Sequence, residues 1–257
     1  MPDIAIRKLS ASELITLWEG AWQVHPLVRP LHMLAICQAD PSRADPRSQD
    51  SLATLDIAER NRHLMELFIT CYGSRLEWES RCPSCDESVE VVLDLRRVLA
   101  ERTEGVETDR SFLTAFGSFR VSFRLPNTRD LLALRHDAGA GRAQKGLVRA
   151  CIAECSHDGR AIAVADAPDE VLMHTAEQMG QCDPHAEILV RLACPECGAQ
   201  WRLMLDIAEQ LWRKVAVQAK ALARTVHVLA RAYAWSEADI LTMSEARRAL
   251  YLSMVDT

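Results

Sequence analysis

The chain has 257 residues, 49% hydrophobic and 26% charged, with a net charge of −6, as expected of a soluble globular protein with one large core or two small ones. The acidic balance argues against a general affinity for nucleic acid, which needs a basic surface, and no stretch approaches the ~20 apolar residues of a membrane span. The first residues, Met1 to Lys8, lack the apolar run of a secretory signal, so a cytoplasmic location is expected.

In chain order, Ser10-Ala-Ser-Glu13 matches a capping box, and Leu14, Leu17, Trp18, Ala21 and Trp22 follow at helical spacing. His25-Pro26 ends that helix, and an apolar pattern resumes from Leu27 to Ala39. Asp40 to Asp50 is turn-rich and charged, a surface loop. A further helix is predicted from Ile57 to Tyr72, stopped by Gly73. Phe119 to Leu125 alternates like a strand, and Pro126-Asn-Thr-Arg-Asp130 then opens a helix capped by Asn127 or Thr128, with Leu131, Leu132 and Leu134 entering the core. A second helix is predicted from Ala143 to Glu154, a polar turn at Ser156 to Gly159, and a third helix opened by Asp166-Ala-Pro168. From Ile207 the positions Leu211, Val215, Leu222, Val226, Leu229 and Tyr233 keep helical phase, with Arg213, Lys214, Lys220, Arg224 and Arg231 opposite. That face is either a solvated side or a docking surface for a partner. Ser244 to Val255 forms a last helix with Arg247 and Arg248 exposed.

A repeat at a constant offset of 112 residues organises the middle of the chain. Leu76 to Leu95 aligns without gaps to Ile188 to Ile207, each reading as strand, Cys-Pro-x-Cys turn, strand, and Asp (Asp94, Asp206) capping a helix. Val89 pairs with Trp201 in this alignment, and Leu93 with Leu205. The chain holds nine cysteines, an odd number. In a cytoplasmic chain, two Cys-Pro-x-Cys pairs favour metal over disulfides. Two thiolates three residues apart around a tight turn reach one tetrahedral Zn²⁺ at ~2.3 Å, and a second such turn closes the shell. Cys82, Cys85, Cys194 and Cys197 are therefore expected to hold one structural zinc per chain. Four thiolates leave no open position for catalysis.

No other constellation carries chemistry. The eight histidines form no metal-binding pair, His157-Asp158 lies in a turn, and no phosphate-binding glycine motif is present. Cys71, Cys151, Cys155 and Cys182 are expected to pack in the core. The predicted fold is α+β: a split four-cysteine zinc ribbon (74–95 and 188–207), an inserted α/β subdomain (96–187), a helical N-terminal region (1–73) and a C-terminal helical arm (208–257).

Several segments together resemble a family encoded in the loci of contractile, phage-tail-like injection systems, more distantly related to baseplate hub and hub-assembly proteins of T-even-type phages. They are Leu17-Trp18-Glu19 with His25-Pro26-Leu27, Ala58 to Leu64 leading to Tyr72-Gly73, both Cys-Pro-x-Cys turns, Arg124 to Leu131, and the tail from Val226 to Leu241 with Arg247-Arg248 and Tyr251-Leu252. Asp86 stands where such a knuckle usually has glycine, and Ala234 where the family tends to have it. The resemblance implies a non-enzymatic assembly factor or minor structural component of the baseplate or hub, made in the cytoplasm and binding other baseplate, hub or tail proteins. Tyr233, Trp235, Arg247, Arg248 and Tyr251 are the candidate partner contacts. The alternative from another class is a zinc-ribbon nucleic-acid-binding protein.

Overall fold

The expected caps fix where the first helices begin. In the computed structural model, which describes residues 6–38, 49–100, 111–134, 139–183 and 185–255, the Ser10–Glu13 capping box opens α1 (Ala11–Ala21). A short helix α2 (Arg29–Ile36) follows, with Pro30 in its first turn, then α3 (Gln49–Leu52). The Asp56 carboxylate accepts the Glu59 N–H and starts α4 (Ile57–Tyr72); Gly73, at φ 86°, ends it. The loop expected at 40–50 lies mostly outside the described residues, its last two belonging to α3.

The chain then forms an antiparallel hairpin, β1 (Arg75–Arg81) with β2 (Ser88–Asp94), and a short helix α5 (Leu95–Ala100). Next comes a four-stranded antiparallel sheet in the order β3 (Phe112–Phe116), β4 (Phe119–Phe123), β5 (Ile152–His157), β6 (Arg160–Ile162). Between β4 and β5 lie α6 (Thr128–Ala133), capped by Asn127, and α7 (Ala140–Cys151); α8 (Asp169–Cys182) follows β6. A second hairpin, β7 (Leu189–Ala193) with β8 (Gln200–Met204), leads through the Asp206 cap into α9 (Ile207–Tyr233), of 27 residues. Helices α10 (Glu237–Thr242) and α11 (Glu245–Val255) close the chain.

Three expectations are corrected. The helix predicted to Glu154 stops at Cys151, because Ile152 to His157 pairs with β4 and buries Ile152 and Cys155; strand pairing overrides the helical spacing of Cys151 and Cys155. Leu132 does not enter the core: α6 is short and turns it to solvent, 40% exposed. Arg248 is half-buried, its guanidinium donating to the carbonyls of Leu241 and Met243 at the end of α10.

One apolar core joins α1, α2, α4 and α9 with the inner faces of both hairpins, through residues such as Leu17, Met33, Phe68, Leu76, Ile188 and Trp212. The long helix α9 packs against α1, α4, α10 and α11, leaving Arg213, Lys214, Lys220, Arg224 and Arg231 exposed. A second cluster, with Val121, Phe123, Val148, Cys155, Leu172 and Met179, lies among β4, β5, α7 and α8. The architecture is thus a mixture of helix and antiparallel sheet, and among the described residues no helix is long and apolar enough to cross a membrane.

Candidate metal centre

The repeat produces two hairpins in the same register. Ser80 faces Val89 in the first, and Leu192 faces Trp201 in the second; Trp78 faces Val91 as Val190 faces Leu203. The turns match as well. The Cys82 N–H donates to the Glu87 carbonyl (2.9 Å) and the Asp86 N–H to the Cys82 carbonyl (3.0 Å); Cys194 with Ala199 and Gly198 with Cys194 repeat both bonds at 2.9 and 3.0 Å. Each turn needs a left-handed residue, supplied by Asp86 at φ 60° and Gly198 at φ 71°. The aspartate is braced there by Arg81, whose Nη1 lies 3.1 Å from the Asp86 carbonyl and 3.2 Å from its carboxylate. That brace offsets part of the roughly 1 kcal/mol that a non-glycine residue costs in this region.

The hairpins form separate sheets and meet at their turns. There Cys82, Cys85, Cys194 and Cys197 bring their sulfur atoms within 4.8 Å of one another. Cys82 Sγ lies 3.6 Å from Cys197 Sγ, and Cys85 Sγ 3.6 Å from Cys194 Sγ. A tetrahedral tetrathiolate around Zn²⁺ at ~2.3 Å requires sulfurs about 3.8 Å apart, so the donor set fits the ion. Sulfurs at 3.6 Å are far outside the ~2.05 Å of a disulfide. Cys82 and Cys194 are buried, whereas Cys85 and Cys197 are exposed. Val89, Ala199 and Trp201 complete a small apolar cluster around the two buried cysteines, with Val89 and Trp201 in equivalent positions.

The turn backbone favours thiolate at one corner. The N–H groups of Cys85 and Ser84 point at Cys82 Sγ, that of Ser84 at 3.4 Å, and lower this thiol to about 7 against the opposing effect of burial. The N–H of Glu87 favours the Cys85 thiolate, yet hydrogen bonds shared with Cys197, Cys194 and Cys82 raise Cys85 to about 12. Four thiols this close cannot all ionise without a cation among them. Among the described residues no other group of three or more His, Cys, Asp or Glu side chains is placed to hold a metal. The remaining cysteines pack as expected: Cys151 and Cys155 are buried, and Cys71 and Cys182 half-buried.

The candidate partner residues gather at the end of α9. Tyr233 stacks on Trp235 at 4.5 Å, Tyr251 meets Trp235 edge-on at 4.8 Å, and the Arg247 guanidinium lies 5.7 Å from the Tyr251 ring centre. The three rings tie α11 to α9, with Ala234 between them in the left-handed region at φ 56°. Among the described residues neither Arg247 nor Arg248 pairs with an acid; Arg248 donates to backbone carbonyls instead.

Sequence reasoning nominated no titratable pair, but the structure holds a buried polar seam between α4, the start of α6 and the segment that precedes the second hairpin. Arg60 donates to Thr128 Oγ1 and Asn61 Oδ1, both at 3.1 Å, and Asn61 Nδ2 donates to the His185 carbonyl at 3.1 Å. Asp183, only 4% exposed, is raised to about 7 by burial and by the charge of Asp56. The N–H groups of Ala58 and Ala186 face its carboxylate without reaching hydrogen-bonding geometry. Nothing in the local sequence marks Asp183, because its burial arises from tertiary packing alone.

Residues 43–212, about two thirds of the chain, match the family model described as T4 bacteriophage base plate protein. No curated protein and no solved structure matches the chain.

Proposed function

The chain belongs to the T4 bacteriophage base plate protein family, and on that footing we propose that it is a non-enzymatic assembly factor or minor structural component of the baseplate or hub of a contractile, phage-tail-like injection machine, stapled by a structural zinc. The observation that carries the metal part is the convergence of Cys82, Cys85, Cys194 and Cys197 within 4.8 Å. One Zn²⁺ per chain is held by these four thiolates, which close its coordination shell and confine it to a structural role.

The same reading divides the chain into a helical region (1–73), a split zinc ribbon (74–95 and 188–207), an inserted subdomain (96–187) and a C-terminal arm (208–257). Support for the insertion comes from the second apolar cluster, whose buried residues run from Val121 to Met179. Other baseplate, hub or tail proteins are the partners, and the arm, with Tyr233, Trp235, Arg247, Arg248 and Tyr251, is the contact surface. The nucleic-acid-binding alternative is disfavoured by the acidic net charge of −6.

The test is purification of intact particles from cells carrying the gene and from cells lacking it, followed by mass spectrometry of the particle. Loss of baseplate assembly without the gene supports the reading, and presence of the chain in finished particles makes it a resident part. Normal particles in its absence overturn it.

A further inference from the structure

The two hairpins share a register and an inner face, but their outer faces carry opposite charge. On the first, Glu79 lies directly across from Glu90; on the second, at the equivalent positions, Arg191 lies directly across from Arg202. All four side chains are exposed. Like charges placed directly opposite on one face of a sheet destabilise it, and the neighbourhood relieves neither pair. Arg75 is taken by Glu77, and Arg81 by Asp86. Glu79 receives only the Ser88 hydroxyl at 3.4 Å. Among the described residues, neither Arg191 nor Arg202 has a carboxylate within ion-pairing distance.

Apolar side chains flank both pairs. Val92 is 48% exposed on the acidic face; Leu189 and Met204, which face each other across the second hairpin, are 47% and 60% exposed. Each face therefore offers two like charges beside apolar surface, on hairpins of one register and opposite sign.

We propose that the outer face of the first hairpin of one copy docks on the outer face of the second hairpin of another, Glu79 and Glu90 against Arg191 and Arg202, in a head-to-tail contact between copies of this chain. The charge complementarity of equivalent positions identifies the occupant: a surface that matches the acidic face in strand register and opposes it in sign is present on the same molecule. Because the two faces differ, the contact is heterologous, and each pair of copies is left with one free face of each sign for further copies. Exposed charges drive the association, so salt weakens it.

The experiment is sedimentation velocity on the full-length, zinc-loaded chain over a range of concentration at low and high salt. Two variants are compared: Glu79→Arg with Glu90→Arg, whose hairpin faces are both basic, and Arg191→Glu with Arg202→Glu, whose faces are both acidic. The wild type is expected to associate at low salt and to dissociate as salt rises. Each variant alone sediments as a monomer, and an equimolar mixture of the two associates again. Zinc content equal to the wild type certifies each fold; should one variant fail this check, Arg191→Gln with Arg202→Gln replaces it and is expected to weaken association at least tenfold. A wild type that stays monomeric at low salt overturns the proposal, whether or not it binds an acidic or basic partner of another kind. So does association that is insensitive to salt, or a mixture that remains monomeric.

Discussion

Removing half of the proposed metal shell, Cys82→Ser with Cys85→Ser, should free the two turns while leaving the base of each hairpin in place. The turns span 82–87 and 194–199, and apart from the sulfurs and the exposed Arg81 brace on Asp86 they are held by four backbone hydrogen bonds and by the small cluster around Val89. Ordering these twelve residues costs about 18 kcal/mol at ~1.5 kcal/mol each. The four hydrogen bonds return roughly 4 kcal/mol and the burial of Val89 about 2. The shortfall, about 12 kcal/mol, falls within the ~10–16 kcal/mol that structural zinc supplies.

The strand ends remote from the turns have another anchor. Leu76, Ile188 and Leu205 are buried in the main core, with Trp78, Leu93 and Val190 packed against it. Elemental analysis should give one zinc per wild-type chain and essentially none in the double variant. Hydrogen exchange should rise sharply across 82–87 and 194–199 in the variant, with α4 and α9 still protected. Wild-type protein without metal whose turns are nevertheless fully protected, or turns closed by disulfides, would refute the reasoning.

Ala234→Gly should stabilise the protein by about 1 kcal/mol, because Ala234 sits at φ 56° and glycine is free there; a thermal melt should move up by about 2–4 °C, and an unchanged or lower midpoint counts against the strain. Asp183 titrates at about 7 in the folded chain, above its ordinary 3.8, so the folded state binds the extra proton between these values. Its contribution therefore falls as pH rises from about 4 to 7, by roughly 4 kcal/mol in full, and stays lost above 7. Asp183→Asn should flatten that part of the stability profile in urea melts at several pH values; an unaltered slope excludes the group. Truncation before Trp235 removes the buried Ile240 and should lower stability by itself, so the arm is better tested with Arg247→Glu. This exposed substitution should leave the melt within ~0.5 kcal/mol of wild type while reducing recovery of the chain with baseplate proteins; undiminished recovery removes Arg247 from the contact.

Much of the site was legible because it is encoded locally and twice. The 112-residue offset predicted two hairpins in one register, and Val89 and Trp201 do occupy equivalent places beside the buried cysteines. The capping box at Ser10 and the stop at Gly73 act within one helical turn, so sequence alone places them, and of the two caps it offered, Asn127 and Thr128, the structure uses Asn127. Asp86 and Ala234, which stand where glycine is usual, both adopt positive φ. What sequence did not reveal depends on partners far along the chain. Ile152 becomes strand because β4 lies beside it, and Arg248 is half-buried because α10 ends on its guanidinium. Asp183 is buried by elements it does not belong to.

The two copies of the hairpin have diverged in the pattern that their surroundings allow. Positions facing the core stay apolar in both: Leu76 and Ile188, Leu93 and Leu205, Leu95 and Ile207. Each would create a cavity if shortened, at about 2–5 kcal/mol for a leucine truncated to alanine. The turns keep their cysteines, since one turn supplies only half of a tetrahedral shell. Outward positions answer to neither constraint, and there the sign of charge has reversed, Glu79 against Arg191 and Glu90 against Arg202. A core at one end of the hairpins and a metal clip at the other hold both faces in fixed register while leaving their chemistry free to differ. On this argument the zinc also maintains the surface through which copies meet, so loss of the metal should abolish association even though no ligand touches the neighbouring copy.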